Sequence, residues 1–307
     1  MKDVALIFPG QGAQRTGMGR EFYDQVPQAR QVFERANEVM GTDLSRVIFD
    51  GPEDILMSTA YCQPAIFTMS MAALEAFRTS EIFSGVNVRY TAGLSLGEYG
   101  ALCAAGVIPF EDCLRLIQKR GSLMEAAAKA NPGKMAAVIG FDKARLVELC
   151  REAGCEVANF NAPDQIVISG GAGQVDRACD MLLKAGCKKV VPLDVSGAFH
   201  SSLMRSAAEK FSAVLKTVTF HITDTKVITN VNAAPQSSVE EIRLNLEKQI
   251  FSSVQWEDSV RFLAAQGITH VVEVGPGRVL KGLIRKIDPN LNVQNIQSPQ
   301  DIAALVL

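Results

Sequence analysis

The stretch Val86-Asn87-Val88-Arg89-Tyr90-Thr91-Ala92-Gly93-Leu94-Ser95-Leu96-Gly97-Glu98-Tyr99 decides the fold. Val86 to Ala92 carries β-branched and aromatic residues and reads as a strand. Glu98 to Ala105 reads as a buried helix. Between them, Gly93-Leu94-Ser95-Leu96-Gly97 fits Gly-x-Ser-x-Gly. The string alone is weak, since roughly one chain in ten of this length would contain it by composition. Its context strengthens it, because a nucleophile elbow needs a strand before the serine and a helix after it. The glycines permit a tight turn, and the helix N-terminus behind Ser95 favours developing negative charge. The bland alternative is a plain strand-to-helix turn.

Outward from this turn the chain alternates strand and helix. Val4 to Phe8 is a continuous apolar run ending in Pro9-Gly10-Gln11-Gly12, the pattern of a buried parallel strand. Helical periodicity follows over Gln28 to Met40, Pro64 to Phe77 and Phe110 to Ala130. The fold class is therefore α/β with a parallel sheet. The rhythm changes at Asn131-Pro132-Gly133. From there to Val195 the order is strand, helix, two strands, helix, strand, which is the ferredoxin-like pattern. Residues 131–196 are expected to form a small inserted subdomain, with residues 1–130 and 197–307 forming the large domain. Beyond it, Lys226 to Val231 and His270 to Val274 read as strands. Glu240 to Ile250, Trp256 to Gln266 and Val279 to Ile287 read as helices.

Composition excludes several classes of function. Thirty-one basic residues face 33 acidic ones, for a net charge of −2. Without a basic excess a nucleic-acid partner is not expected. No apolar run approaches the roughly 18 residues of a membrane span, and the N-terminal apolar stretch is too short for a signal peptide. The seven scattered cysteines contain no Cys-x-x-Cys pair. They point to reduced thiols in a cytoplasmic protein, with neither a disulfide framework nor a metal site.

A serine nucleophile needs a base, and the chain has three histidines. His221 lies in a segment with no catalytic context. His270 sits on a strand and reads as a core histidine. His200 opens a helix at the junction of the two domains, where clefts form, and is the favoured base. No carboxylate stands out as a third member. The loop Pro9 to Gly12 fails both nucleotide-binding patterns, because Arg15 and Met18 stand where glycine and lysine are needed. It reads instead as a loop bringing Gln11 near the oxyanion. Arg120 has two readings, a solvated helix residue or a cleft-wall guanidinium that pairs with a substrate carboxylate. Met124, one turn on, would form an apolar wall beside it.

Six segments together resemble the malonyl-CoA:acyl carrier protein transacylase family over essentially the whole chain. They are Phe8 to Gly12, Gln63-Pro64-Ala65, Gly93 to Tyr99, Gln118 to Gly121, Gly197 to Ser201 and Glu273 to Gly277. The resemblance implies a hydrolase-like core with the inserted subdomain. It implies that Ser95 carries the acyl group and His200 moves the proton, with the Gln11 and Leu96 amides as oxyanion hole. It implies substrate binding by Arg120, Met124, Phe199, Asn161 and Gln249, and a histidine oriented by main-chain carbonyls near Gln249. The substrates would be malonyl-CoA and the phosphopantetheine thiol of acyl carrier protein, in ping-pong order, with no resident cofactor. Phe199 matches members that take malonyl and should crowd an α-methyl branch. Leu94 departs from the family, which usually has histidine there. An acidic carrier protein would dock on a basic rim drawn from Lys188, Lys189, Arg278, Lys281, Arg285 and Lys286. Two alternatives use the same residues: a serine esterase or thioesterase, told apart by whether water or a thiol takes the acyl group, and a catalytically weak binding partner, which would gain no acyl mass.

Overall fold

The computed structural model describes all 307 residues. Nine strands run along the chain: β1 (Lys2–Phe8), β2 (Val86–Gly93), β3 (Gly133–Ile139), β4 (Glu156–Ala162), β5 (Gln165–Gly171), β6 (Lys189–Pro192), β7 (Lys226–Ile228), β8 (His270–Val274) and β9 (Asn292–Ile296). They form two sheets. The larger has the order β7-β2-β1-β8-β9, with every pairing parallel. The smaller is antiparallel, in the order β4-β5-β3-β6. No helix is long and apolar enough to cross a membrane.

β1 lies at the centre of the large sheet, and Val4 to Phe8 are all buried. Their side chains alternate between two cores, as a period of two requires. Val4, Leu6 and Phe8 face one apolar cluster, and Ala5 and Ile7 face the other. Parallel strands covered on both faces read as continuous apolar runs, which is how β1 appears in the sequence. Register pairs Phe8 with Gly93, so β1 and β2 end side by side. The strand order reverses beside β1, and ligands of open α/β sheets bind at the carboxyl ends of strands at such a point.

The small sheet with the helices Lys143–Ala153 and Ala172–Lys184 has the ferredoxin-like order and its own core, which includes Val138, Leu149, Ile168 and Leu182. Asp142 caps the first helix by accepting from the Arg145 N–H, and Gly154 ends it in the left-handed region. The chain enters and leaves this unit through adjacent crossings. A Cβ placed on Gly133 would lie 2.6 Å from the Ala198 Cβ, and Gly197 packs against Ala128.

Several expectations are corrected. β7 stops at Ile228 rather than Val231, because Thr229 and Asn230 turn away and Asn230 bonds to the end of β2. The helix expected to begin at Pro64 begins at Thr59, with Pro64 inside its second turn. β9, an alternating polar strand, escaped the apolar-run reading. His270 is not a core residue: it opens β8 at the sheet's amino end, half-buried, with Nδ1 2.9 Å from Thr269 Oγ1.

The turn after β2 fits only because Gly97 lacks a side chain, since a Cβ there would overlap the Phe8 carbonyl oxygen. Both groups are backbone in the buried centre of the sheet and have nowhere to move. Gly97→Ala should therefore destabilise the fold by about 4 kcal/mol or more. A urea melt checks this, with Gly282→Ala as control, because a Cβ on that helical glycine meets open space and costs nothing.

Candidate active site

Ser95 sits at the carboxyl end of β2 with φ of 52°, a strained value for a residue with a side chain. Asn230 clamps the turn from both sides. Its Oδ1 accepts from the Ser95 N–H at 2.7 Å, and its Nδ2 donates to the Gly93 carbonyl at 2.6 Å. The Leu94 N–H donates to the Phe8 carbonyl at 3.2 Å, fastening the turn to β1. The helix Gly97–Ala104 follows at once. Gln11 and Leu96 both border the cleft in front of Ser95, and neither amide has an acceptor in the protein.

Ser95 Oγ lies 2.8 Å from His200 Nε2. On the other side of the ring, Nδ1 lies 2.7 Å from the Gln249 carbonyl oxygen. A carbonyl only accepts, so Nδ1 carries the proton and Nε2 is free to accept from the serine. No carboxylate takes part. Burial, helped by the nearby Arg120 charge, lowers the His200 pKa to about 4, against the opposing pull of the Gln249 and Ser252 carbonyls. The imidazole is therefore neutral at ordinary pH. Its loop is tied to the small subdomain, where Glu156 Oε1 accepts from the Ser202 N–H and Oγ at 2.9 and 2.6 Å.

Arg120 is 1% exposed, so the solvated-residue reading fails, while its neighbour Lys119 points to solvent. Nη1 donates to Gln63 Oε1 at 2.8 Å. Nη2 donates to Gln249 Oε1 at 3.0 Å and to Ser95 Oγ at 3.1 Å. The guanidinium carbon lies 5.5 Å from the centre of the Tyr99 ring, and Nε has no partner. Ser95 Oγ thus accepts from a cation on one side and faces a base on the other.

These groups open into a cleft of about 180 Å³ between the two sheets. The large domain contributes Gln11, Gln63, Leu94, Arg120 and Met124. The small subdomain contributes Met135, Asn159, Asn161 and Val167, and the strands' return path adds Leu193, Val195 and Phe199. Asn161 Oδ1 is buried without a partner. Leu94 makes one side of the mouth apolar. Gln249 is fully buried behind the cleft and does not line it, a correction to its expected place against the substrate. Gln63, Asn230 and Glu98 had no part in the reading of the site from residue patterns. Asn230 was detectable in principle, as a polar residue just beyond the carboxyl end of a parallel strand. His221 lies exposed in a loop, remote from these contacts.

The sequence matches the family model described as "Acyl transferase domain" over residues 5–298. It is 42% identical to the malonyl CoA-acyl carrier protein transacylase of Bacillus subtilis, with 98% of this chain and 96% of that protein covered. It is 39% identical to the protein of the same name in Staphylococcus aureus, with 98% of each covered. Among solved structures, the malonyl-CoA:acyl carrier protein transacylase of Xanthomonas oryzae superposes with a TM-score of 0.92 at 40% identity, covering 99% of this chain and 98% of that one. A malonyl-transacylase in complex with its type II PKS acyl-carrier protein superposes with a TM-score of 0.94 at 36% identity, with the same coverage. A match of this extent in sequence and in fold leaves one conclusion about descent: the chain belongs to the acyl transferase domain family.

Proposed function

We propose that the protein transfers a malonyl group from malonyl-CoA to the phosphopantetheine thiol of an acyl carrier protein through a malonyl-serine intermediate. One observation carries the substrate assignment. A fully buried guanidinium, paired directly with no carboxylate, stands 3.1 Å from the nucleophilic oxygen. An acyl group on Ser95 that ends in a carboxylate would meet that charge, whereas an acyl group without one leaves it without a direct ion pair. The names of the relatives agree with this reading.

In the first half-reaction Ser95 Oγ attacks the thioester carbon and His200 Nε2 takes its proton. The Gln11 and Leu96 amides, unpaired in the resting enzyme, stabilise the oxyanion. Collapse expels the coenzyme A thiolate, which takes the proton from His200. The carrier-protein thiol then attacks the serine ester, and the same groups act in reverse. Met124 and Phe199 supply apolar walls, and Asn161 offers an unpaired acceptor. The chemistry needs no resident cofactor, since coenzyme A enters and leaves as part of a substrate. The seven cysteines are all unpaired, which supports action in the reducing cytoplasm.

For the carrier protein we propose the basic rim. Lys188 packs on Gly140, the Gly140 N–H bonds to the Asp164 carbonyl, and the Asp164 carboxylate pairs with Lys286, so the rim's two halves meet across the domain junction. Charge reversal at Lys188, Lys189 and Arg285 together should slow transfer to carrier protein about tenfold at low salt and leave acylation by malonyl-CoA alone. Stopped-flow transfer at two ionic strengths checks it, and rates blind to both variables reject the rim.

Mass spectrometry after mixing with malonyl-CoA should show one malonyl adduct on the wild type and none on Ser95→Ala. His200→Ala should slow acylation by about two to four orders of magnitude, the usual worth of a general base. Because His200 is active when neutral and its pKa is lowered to about 4, acylation by acetyl-CoA, which brings no carboxylate to Arg120, should stay level from pH 8 downward and be lost only as pH falls through about 4. A limb near the ordinary histidine value would point to another base.

Arg120→Ala should lower kcat/KM for malonyl-CoA by about 2–4 kcal/mol of transition-state binding, the order found for breaking a buried charged pair. Acetyl-CoA should lose less, since it shares the loss of the Arg120 bond to Ser95 but has no carboxylate to leave unpaired. Equal losses for both donors would make Arg120 structural and remove the specificity argument.

A further inference from the structure

Two buried charges, one lining the cleft and one behind it, stand without a direct ion pair. Arg120 and Glu98 are 1% and 0% exposed. A single amide separates them. Gln249 Oε1 accepts from Arg120 Nη2 at 3.0 Å, and Gln249 Nε2 donates to Glu98 Oε2 at 2.7 Å. Glu98 also accepts from the Asn230 N–H at 3.1 Å and from Gln236 Nε2 at 3.4 Å, and the Thr229 side chain bonds to it. The titratable groups facing it are Arg120 and Tyr99. The reaction steps above use Arg120 and leave Glu98 without a task.

We propose that Glu98 is the resident counter-ion of Arg120, and that an acyl carboxylate arriving at Arg120 takes over that task while Glu98 takes up a proton from solvent. This rests on the malonyl reading. Two carboxylates sharing one guanidinium in a low-dielectric site repel each other, and one of them neutralises. The acyl carboxylate on Ser95 reaches the guanidinium directly, whereas Glu98 reaches it only through Gln249, so the acyl carboxylate keeps its charge. Glu98 is the one that yields. Its pKa is already raised to about 7, chiefly by burial, with its hydrogen bonds and Arg120 opposing. The site also has a place for the new O–H. Gln236 Oε1 is buried and unpartnered, on the same amide whose Nε2 reaches Glu98 Oε1. When that amide turns over, it accepts the proton that Glu98 has gained.

The test is the ratio of single-turnover acylation rates, malonyl-CoA over acetyl-CoA, from pH 6 to 8.5. The ratio cancels whatever the two donors share: His200, the leaving thiol and the coenzyme phosphates. In the wild type it should fall roughly fivefold with rising pH, centred near 7, as ionised Glu98 increasingly competes with the acyl carboxylate. In Glu98→Gln it should be flat, at or above the wild-type value at pH 6. That variant keeps the bonds from Gln249 and Asn230 to its oxygen, and its amide donates to Gln236 Oε1 once the Gln236 amide turns over. As a measurement that needs no variant, wild-type acylation at pH 7 in weak buffer should take up more protons with malonyl-CoA than with acetyl-CoA. A level wild-type ratio, a slope that survives in Glu98→Gln, equal losses for both donors in that variant, or equal proton uptake overturns the inference. A wild type that forms no malonyl adduct at any pH rejects the malonyl reading itself.

Discussion

Gln249 is the residue on which the site's geometry depends. Its carbonyl fixes the His200 tautomer, its Oε1 fixes Arg120, and its Nε2 donates to the Ser95 carbonyl at 3.0 Å and to Glu98. One fully buried side chain and its own backbone thus set the position of nucleophile, base and cation together. It holds this place because it ends the helix Val239–Gln249, where carbonyls lack partners within the helix and are free for other donors. A dyad oriented by a neutral carbonyl differs physically from a triad. Nothing negative stabilises the imidazolium, and burial beside Arg120 disfavours it further. The protonated base is a short-lived, high-energy donor, suited to returning its proton quickly to a leaving thiolate.

The site buries more polarity than a stable core requires. Removing one partner from a buried charged group typically costs several kcal/mol, and here Arg120, Glu98, Gln63, Gln249 and Asn230 are all nearly inaccessible. The large domain tolerates them because each is bonded to another and the surrounding cores are apolar. Some capacity is left over: the Arg120 Nε, the Asn161 Oδ1 and the Gln236 Oε1 have no partner. In a native protein such atoms call for a reason. Asn161 lines the cleft, where a substrate group can satisfy it.

Much of this was legible in the sequence, because the features that make an elbow are local. A strand, two glycines at fixed spacing and a helix can be read within fourteen residues, and Ser95 follows from them. The inserted subdomain was legible for the same reason, as a change in rhythm bounded by Asn131-Pro132-Gly133 and Gly197. What the sequence hid are contacts between distant residues. Asn230 meets Ser95 across 135 positions, and Gln249 meets it across 154. A polar side chain aimed inward leaves no periodic trace, so Gln249 was expected on the cleft wall when it stands behind it. Arg120 was ambiguous on the same ground: helical spacing gives the face, but the bonds that make burial tolerable come from other elements. His270 went wrong because an apolar strand says nothing of which end is covered.

The division of the cleft between two units bears on the choice between thiol and water. The large domain carries Ser95, Arg120 and the unpaired amides, while the small subdomain supplies much of the apolar wall facing them. The Glu156 bonds to Ser202 link that wall to the His200 loop. Leu94, Met124, Val167, Leu193 and Phe199 give the cleft apolar walls, while Gln11, Gln63, Asn159 and Asn161 also line it, so the lining alone does not exclude an attacking water. The competing thiol sits on a long flexible arm. In the proposed reaction it arrives on its carrier, desolvates readily and enters the space in front of the ester. In the proposed reaction, selection of thiol over water therefore rests on delivery of the thiol to the junction of the two units as much as on the serine and histidine.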